Sequence, residues 1–277
     1  MQAPPRGSCF RILFASQNEM RYPAFLTRAT VINQPPTLPF DLAAATKHLC
    51  DCDPVLAELI GSCEPFRAEM EVHQSPYEAL LEAIAYQSIS GKAAATIFGR
   101  VKALSSNGSI PTPQEMVKLR PQSLRKAGLS GAKVLAMKDL AQKTIEGIVP
   151  SMEDAERMSD EELVKRLVSV RGVGAWTVEM FLIFRLGRPD VLPIHDLGVQ
   201  KGWSVAYGKK HKPSPKELLA FGERWRPYRT VASWYMWRAF SRAGYAATNK
   251  IKPKKPKRKN KPTAKKMTTR KKSRPRC

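Results

Sequence analysis

Apolar residues recur at helical spacing through residues 41–244 of this chain. A helix is predicted to begin at Pro76, with Leu80, Leu81 and Ile84 on one face. Shorter helices are expected at 43–49, 55–60, 93–104, 121–127, 131–146 and 159–168. No segment alternates regularly enough to predict a strand. The pattern therefore predicts an all-α domain of about ten helices.

The two ends of the chain differ from this middle part. Residues 1–40 are rich in proline and contain one acid, and we interpret them as an irregular extension. Their four arginines also fit a transit peptide. Residues 250–277 contain 15 Lys and Arg, no acid and no apolar periodicity, so we predict a disordered tail. The domain proper is then 41–249.

Positive charge dominates the composition and points to a polyanionic partner. The formal net charge is +23, and residues 1–249 still carry +8 without the basic tail. Neutralising phosphates releases counterions, which favours binding of nucleic acid. The tail is interpreted as a nonspecific DNA tether, a solvated linker or, in a eukaryote, a nuclear import signal. No apolar run is long enough to span a membrane.

The cysteines argue against a disulfide framework or a metal centre. There are five, an odd number with irregular spacing, which is typical of a reducing compartment. His48, Cys50, Cys52 and Cys63 lie close in sequence, but their alternation is poor geometry for zinc. No four-cysteine cluster follows the middle of the chain, so an iron–sulfur cluster is not expected.

One glycine-containing turn separates two helical patterns. Leu163 and Leu167 lead into Gly172-Val173-Gly174, and Trp176 follows. Glycines permit a tight turn and close approach of another backbone. The N–H groups that open the next helix can bind a phosphate. The turn is therefore a candidate DNA-backbone contact, and the alternative is an ordinary helix–helix corner.

A carboxylate follows this turn at a defined distance. Asp196 stands twenty residues after Trp176 and precedes an apolar run. Its sequence context is typical of a helix N-cap, which is one interpretation. The adjacent His195 has no assigned role. The other interpretation of Asp196 depends on the resemblance that these segments together indicate.

The turn, the helix after it and the segment that ends in Asp196 resemble the helix-hairpin-helix DNA glycosylase superfamily. Within that superfamily the chain is most similar to the 3-methyladenine DNA glycosylase II family, over about residues 41–245. Further segments that resemble this family are 83–94, 129–133, 225–229 and 234–237.

The resemblance implies a fold and an activity. The fold is two helical subdomains with the active-site cleft between them. The activity is that of a DNA-3-methyladenine glycosylase II. Such an enzyme flips alkylated purines of the 3-methyladenine and 7-methylguanine class out of duplex DNA and excises them by hydrolysis of the N-glycosidic bond. Asp196 would be the catalytic carboxylate, stabilising the sugar cation. Trp176 occupies the position of the lysine nucleophile in bifunctional members, so hydrolysis without strand cleavage is expected.

The resemblance also assigns binding residues. The base pocket would contain Trp176, Met180 and Trp237. DNA contacts would come from Gln87, Ser88, Gly172, Val173 and Gly174. A monovalent cation, Na⁺ or K⁺, would be held by the backbone carbonyls of Val168, Val170 and Val173. Alternatively, the tryptophans are core residues and Gln87 only caps its helix.

The remaining expectations concern partners and location. We expect a monomer that binds duplex DNA containing alkylated bases, needs no cofactor and does not enter a membrane. It would work in the cytoplasm and nucleoid of a bacterium or in the nucleus of a eukaryote. Two other functions stay open, namely a noncatalytic helix-hairpin-helix DNA-binding protein and a glycosylase for another damaged base.

Overall fold

The computed structural model describes residues 38–67 and 75–248, and this part of the chain consists of α-helices, a short 3-10 helix at Glu223–Trp225 and connecting loops, without a strand. The predicted irregular extension and basic tail lie outside the described residues, apart from the last few positions of the extension. In chain order the helices are α1 Leu42–Cys52, α2 Pro54–Ser62, α3 Pro76–Tyr86, α4 Gly91–Lys102, α5 Pro113–Lys118, α6 Pro121–Lys126, α7 Gly131–Ile145, α8 Met152–Arg157, α9 Asp160–Leu167, α10 Ala175–Phe184, α11 Leu197–Ala206, α12 Pro215–Gly222 and α13 Arg229–Thr248.

The all-α prediction is confirmed, and the helix count of the described residues is thirteen rather than about ten. Three of these helices, α5, α6 and α8, have six residues each. Six residues cover fewer than two turns of a helix, so the spacing of apolar residues cannot reveal every one of them.

Short side chains fix where many of the helices begin. Ser75 starts α3 with a capping box, in which its hydroxyl accepts from the Glu78 N–H and Glu78 accepts from the Ser75 N–H. Ser214 and Glu217 start α12 in the same way. Asp196 caps α11 by accepting from the Val199 N–H. The N-cap interpretation of Asp196 is therefore confirmed.

The helices pack as two groups. In the first, α3 and α5 pack on α7, and α10 packs on α9 and α3. In the second, α11 lies along α13, and α1 and α2 pack against the same pair. Gly202 permits the close approach of α11 to α13, because a Cβ there would lie 1.8 Å from the carbonyl oxygen of Met236.

A ring contact joins the two groups. Phe184 at the end of α10 stacks on Trp237 of α13, with centroids 5.8 Å apart and planes at 24°. Buried side chains of both groups belong to one continuous core. This arrangement sets the start of α11 opposite α10, and that junction contains the candidate site.

Within the described residues, no helix is both long enough and apolar enough to cross a membrane. No cluster of three or more His, Cys, Asp or Glu side chains there could hold a metal ion. Cys50, Cys52 and Cys63 are free thiols.

Candidate active site

The Asp196 carboxylate is half-buried and held by three hydrogen-bond donors. Trp176 Nε1 donates to its Oδ2 at 2.8 Å, and Trp237 Nε1 donates to its Oδ1 at 2.7 Å. The backbone N–H of Val199 also donates to Oδ1, at 2.8 Å. The donors come from α10, α13 and α11. Because an ionised carboxylate offers about four acceptor positions, three donors leave room for one further contact.

The two tryptophans therefore meet Asp196 through their N–H edges. Trp237 is almost fully buried and Trp176 is partly exposed. Both residues were predicted to line a base pocket, with a core role as the alternative. Trp237 does pack in the core, yet both side chains contact the carboxylate, which the sequence did not reveal.

Gly198 provides the space for this contact. A Cβ at this position would lie 2.8 Å from Cδ1 of Trp237 and 3.0 Å from Oδ1 of Asp196. Any larger side chain would push the indole away from the carboxylate. The role of Gly198 was not predicted from the sequence. Its position two residues after Asp196 is the feature that could have indicated it.

Met180 lies one helical turn after Trp176 and lines a small apolar cleft between α3 and α10. The cleft is lined by Ala79, Leu80, Ala83, Thr177, Met180, Phe181, Phe184 and Arg185. Met180 is 2% exposed, so its side chain forms part of the cleft wall while lying almost entirely in the core. The predicted pocket residues thus divide into two places, the tryptophans at the carboxylate and Met180 in the adjoining cleft.

The predicted hairpin connects α9 to α10. Gly172 has φ of +77° and faces Ala136, whose Cβ would be 3.3 Å from an added Cβ. The positive φ strongly favours glycine there, and the close approach of Ala136 adds to that preference. Gly174 has φ of −100° and open space around it, so its lack of a side chain is not required by the fold. No side chain caps α10, and its first N–H groups are available to a phosphate.

A neighbouring helix braces this turn. The Arg171 N–H donates to Oδ2 of Asp139 on α7 at 2.7 Å, and Lys143 forms an ion pair with the same carboxylate at 3.0 Å. Lys143 also donates to the Ser169 carbonyl. Burial opposes ionisation of Asp139, but these hydrogen bonds outweigh it and lower its pKa. The sequence analysis missed this brace, because it joins residues 32 apart in sequence.

The loop after α3 is tied to the hairpin. Gln87 ends α3, and its Nε2 donates to the Gly172 carbonyl at 3.0 Å. Ser88 is exposed and has φ of +59°, a conformation that non-glycine residues rarely adopt. Lys133 Nζ donates to the carbonyls of Ala85 and Gln87, each at 2.7 Å. The hydrogen bonds of Gln87 and Lys133 therefore fix the start of the loop at two points, and Ser88 projects from it.

The carbonyls predicted to bind a cation lie in and beside the same turn. Val168 ends α9, and the Val170 carbonyl accepts from the Val173 N–H at 3.0 Å. Val170 and Val173 are buried, whereas Val168 is 39% exposed.

A second carboxyl, Glu179, lies near Asp196. Burial, and then the charge of Asp196, raise the pKa of Glu179 to about 7. The sequence analysis missed it, although its position three residues after Trp176 places both on one face of α10. His195 is exposed beside Asp196.

Comparison with known proteins supports a common origin. A family described as HhH-GPD superfamily base excision DNA repair protein matches residues 81–227, a span that contains the hairpin and Asp196. DNA-3-methyladenine glycosylase 1 of Schizosaccharomyces pombe is 41% identical over 200 residues, which are 72% of this chain and 86% of that protein.

Two solved structures share the fold. The 3-methyladenine DNA glycosylase of S. pombe in complex with abasic DNA superposes with a TM-score of 0.60 and 39% identity, covering 70% of this chain and 95% of that chain. A DNA-3-methyladenine glycosidase of Bacillus halodurans gives a TM-score of 0.67 and 30% identity, covering 73% and 91%. The chain therefore belongs to the HhH-GPD superfamily of base excision DNA repair proteins, and within it to the 3-methyladenine DNA glycosylase family.

Proposed function

We propose that this protein is a monofunctional DNA glycosylase that hydrolyses the N-glycosidic bond of alkylated purines in duplex DNA and so initiates base excision repair. The observation that carries the proposal is the Asp196 carboxylate held between the indole N–H groups of Trp176 and Trp237. Relatives in S. pombe and Saccharomyces cerevisiae are named DNA-3-methyladenine glycosylases. A protein that only bound the DNA backbone would not require such a centre.

Asp196 acts by electrostatics in this proposal. Cleavage of an N-glycosidic bond develops positive charge on the sugar, and a fixed carboxylate stabilises that charge. The three donors hold the carboxylate still, so little reorganisation is needed as the bond breaks. N3- and N7-alkylated purines already carry positive charge, so they leave as neutral bases without an added proton.

The same centre explains why the strand stays intact. A bifunctional glycosylase needs an amine that attacks the sugar and forms a Schiff base. Trp176 stands at the position of that lysine in bifunctional relatives, and its indole nitrogen donates to Asp196 instead. The product is therefore an abasic site in a continuous strand.

DNA is held by backbone groups of the hairpin and by the loop after α3. The N–H groups of Gly174 and the first residues of α10 face a phosphate at the positive end of the helix. Ser88 enters the space left by the flipped base, supported by Gln87, whose side chain is bonded to the hairpin that contains Val173. These contacts read shape and not sequence, as repair of scattered lesions requires.

The hairpin also provides ligands for a monovalent cation. Carbonyl oxygens are hard ligands and each has two lone pairs, so the Val170 carbonyl can still coordinate after it accepts from Val173. With Val168 and Val173 it would hold Na⁺ or K⁺ against a DNA phosphate. The reaction itself requires no cofactor.

We place the domain at residues 41–249. Its activity takes place where the DNA is, in the nucleoid of a bacterium or the nucleus of a eukaryote. We propose that the protein acts on DNA as a monomer; one chain supplies both tryptophans and Asp196.

A base-release assay tests the proposal. Purified protein is incubated with duplex DNA that carries 7-methylguanine or 3-methyladenine, and free bases are separated by chromatography. We expect free methylated purine and a strand that breaks only after alkali. Borohydride should trap no covalent adduct. DNA binding without release would support the noncatalytic alternative, and a trapped adduct would reveal a lysine nucleophile.

A further inference from the structure

Glu179 is a half-buried carboxyl at the edge of the site that the mechanism above does not use. It follows Trp176 by three residues, so it shares a face of α10 with that predicted pocket residue. Its Oε2 is buried and has no hydrogen-bond partner among the described residues. A buried polar atom without a partner is costly, which is a reason to look for a ligand that completes it.

The charges around Glu179 favour its protonated form. Burial is the larger cause of the raised pKa of Glu179. The second cause is the charge of Asp196, which repels another negative charge. Arg185 of α10 lies 3.9 Å from Glu82 of α3, and both side chains are buried.

Three cations on neighbouring helices, one each on α9, α11 and α13, have partners of their own. Arg166 of α9 pairs with Glu162 at 2.8 Å. Lys201 of α11 lies over the ring of Phe240, and Arg238 of α13 lies over that of Trp234. Among the charges that act on Glu179 in the described part of the chain there is no cation to offset Asp196.

We propose that Glu179 is the general acid for neutral leaving bases, giving its carboxyl proton to the departing base while Asp196 stabilises the sugar cation. This inference rests on the proposed glycosylase function and extends its substrate class to modified purines without a positive charge. Enzymes that cleave glycosidic bonds commonly use two carboxyl groups in different protonation states. One donates the proton to the leaving group, and the other supplies the negative charge that stabilises the sugar cation.

The step balances without another reagent. As the bond between C1′ and the base nitrogen breaks, its electron pair goes to the base, and the Glu179 proton goes to a ring nitrogen of that base. Water then attacks C1′ and gives a proton back to the Glu179 carboxylate. One water is consumed, and a neutral base and a sugar hydroxyl are formed. A cationic base takes the electron pair alone and needs no acid.

Single-turnover base release by wild type and Glu179→Gln tests this. The substrates are identical duplexes with one 7-methylguanine, which is cationic, or one 1,N6-ethenoadenine or hypoxanthine, which are neutral. We expect the variant to lose about 100-fold on the neutral bases, the effect of one general acid, and to stay close to wild type on 7-methylguanine. Glu162→Gln, the same change on the exposed face of α9, should behave as wild type on all three.

The pH profile gives a second measurement that needs no variant. Wild-type release of the neutral bases should fall as pH rises through the pKa of Glu179, at about 7, while release of 7-methylguanine should not follow it. Equal losses on both classes of base, no loss on the neutral bases, or no wild-type release of neutral bases would overturn the inference. Failure of the wild type to release 7-methylguanine would instead overturn the proposed function.

Discussion

The hairpin and the Asp196 centre share helix α10, yet they use different atoms of the chain. At the hairpin the working groups are backbone N–H and C=O groups. The turn favours a residue without a side chain at Gly172. At the centre the working groups are side chains, namely one carboxylate and two indoles. The first arrangement suits a phosphate, which every nucleotide has, and the second suits a chemical step.

The supporting contacts differ in the same way. The hairpin is braced from within its own helical group, by Asp139 and Lys143 of α7. The centre is assembled between the two groups, because Trp176 lies on one side while Asp196 and Trp237 lie on the other. Binding should therefore survive changes that abolish chemistry, and the predictions below test that separation.

The largest effect is expected from Asp196→Asn. Asparagine still caps α11 but has no negative charge to stabilise the sugar cation, so base release should fall by about 100-fold or more. Affinity for DNA should stay close to wild type. Asp41→Asn, at the exposed N-cap of α1, is the matched control and should not affect the rate. Release at the wild-type rate by Asp196→Asn would mean that another residue is catalytic.

A smaller loss is expected from Trp176→Phe or Trp237→Phe. Each change keeps an aromatic ring but removes one N–H donor to the carboxylate, so Asp196 is less firmly positioned. A hydrogen bond to a charged group contributes about 1.5 kcal/mol, which corresponds to about tenfold in rate. Trp203→Phe is the control, since its Nε1 is buried and has no hydrogen-bond partner among the residues that the structure describes. Equal losses in all three variants would show a packing effect.

The sequence was sufficient for features that local rules encode. The spacing of apolar residues predicted α1 to α4, α6, α7 and α9, although it gave no bounds for α11, α12 or α13, and the glycine turn predicted the junction of α9 and α10. Asp196 as an N-cap followed from its position before an apolar run. Each of these depends on residues only a few positions apart, for which backbone geometry is decisive.

Features that depend on distant residues could not be predicted. The brace from Asp139 to Arg171 and the space that Gly198 leaves for Trp237 join residues that only the packed fold brings together. The burial of Glu179 is likewise a tertiary property, because its sequence context is that of an ordinary helical acid. The resemblance identified the tryptophans, but their hydrogen bonds to Asp196 depend on how α10, α11 and α13 pack together.

A still smaller effect is expected from Lys133→Met. The change removes two hydrogen bonds that hold the end of α3, so the loop with Ser88 becomes less ordered. We expect affinity for an abasic duplex to weaken about threefold to tenfold, with little change in the saturated rate. Lys138→Met, which removes a similar cap from the end of α5, is the control. Equal weakening by both variants would contradict a specific role for the loop.

The separation of binding from chemistry is tested most directly by the single-turnover rate of 7-methylguanine release, measured against enzyme concentration for Gly172→Val and Asp196→Asn. Valine at φ of +77° introduces strain of about 1–2 kcal/mol in the hairpin. Gly172→Val should therefore need about tenfold more enzyme for half-saturation yet reach the wild-type plateau. Asp196→Asn should keep the half-saturation point and lose the plateau. The opposite pattern, or a shared loss of plateau in both variants, would contradict the account.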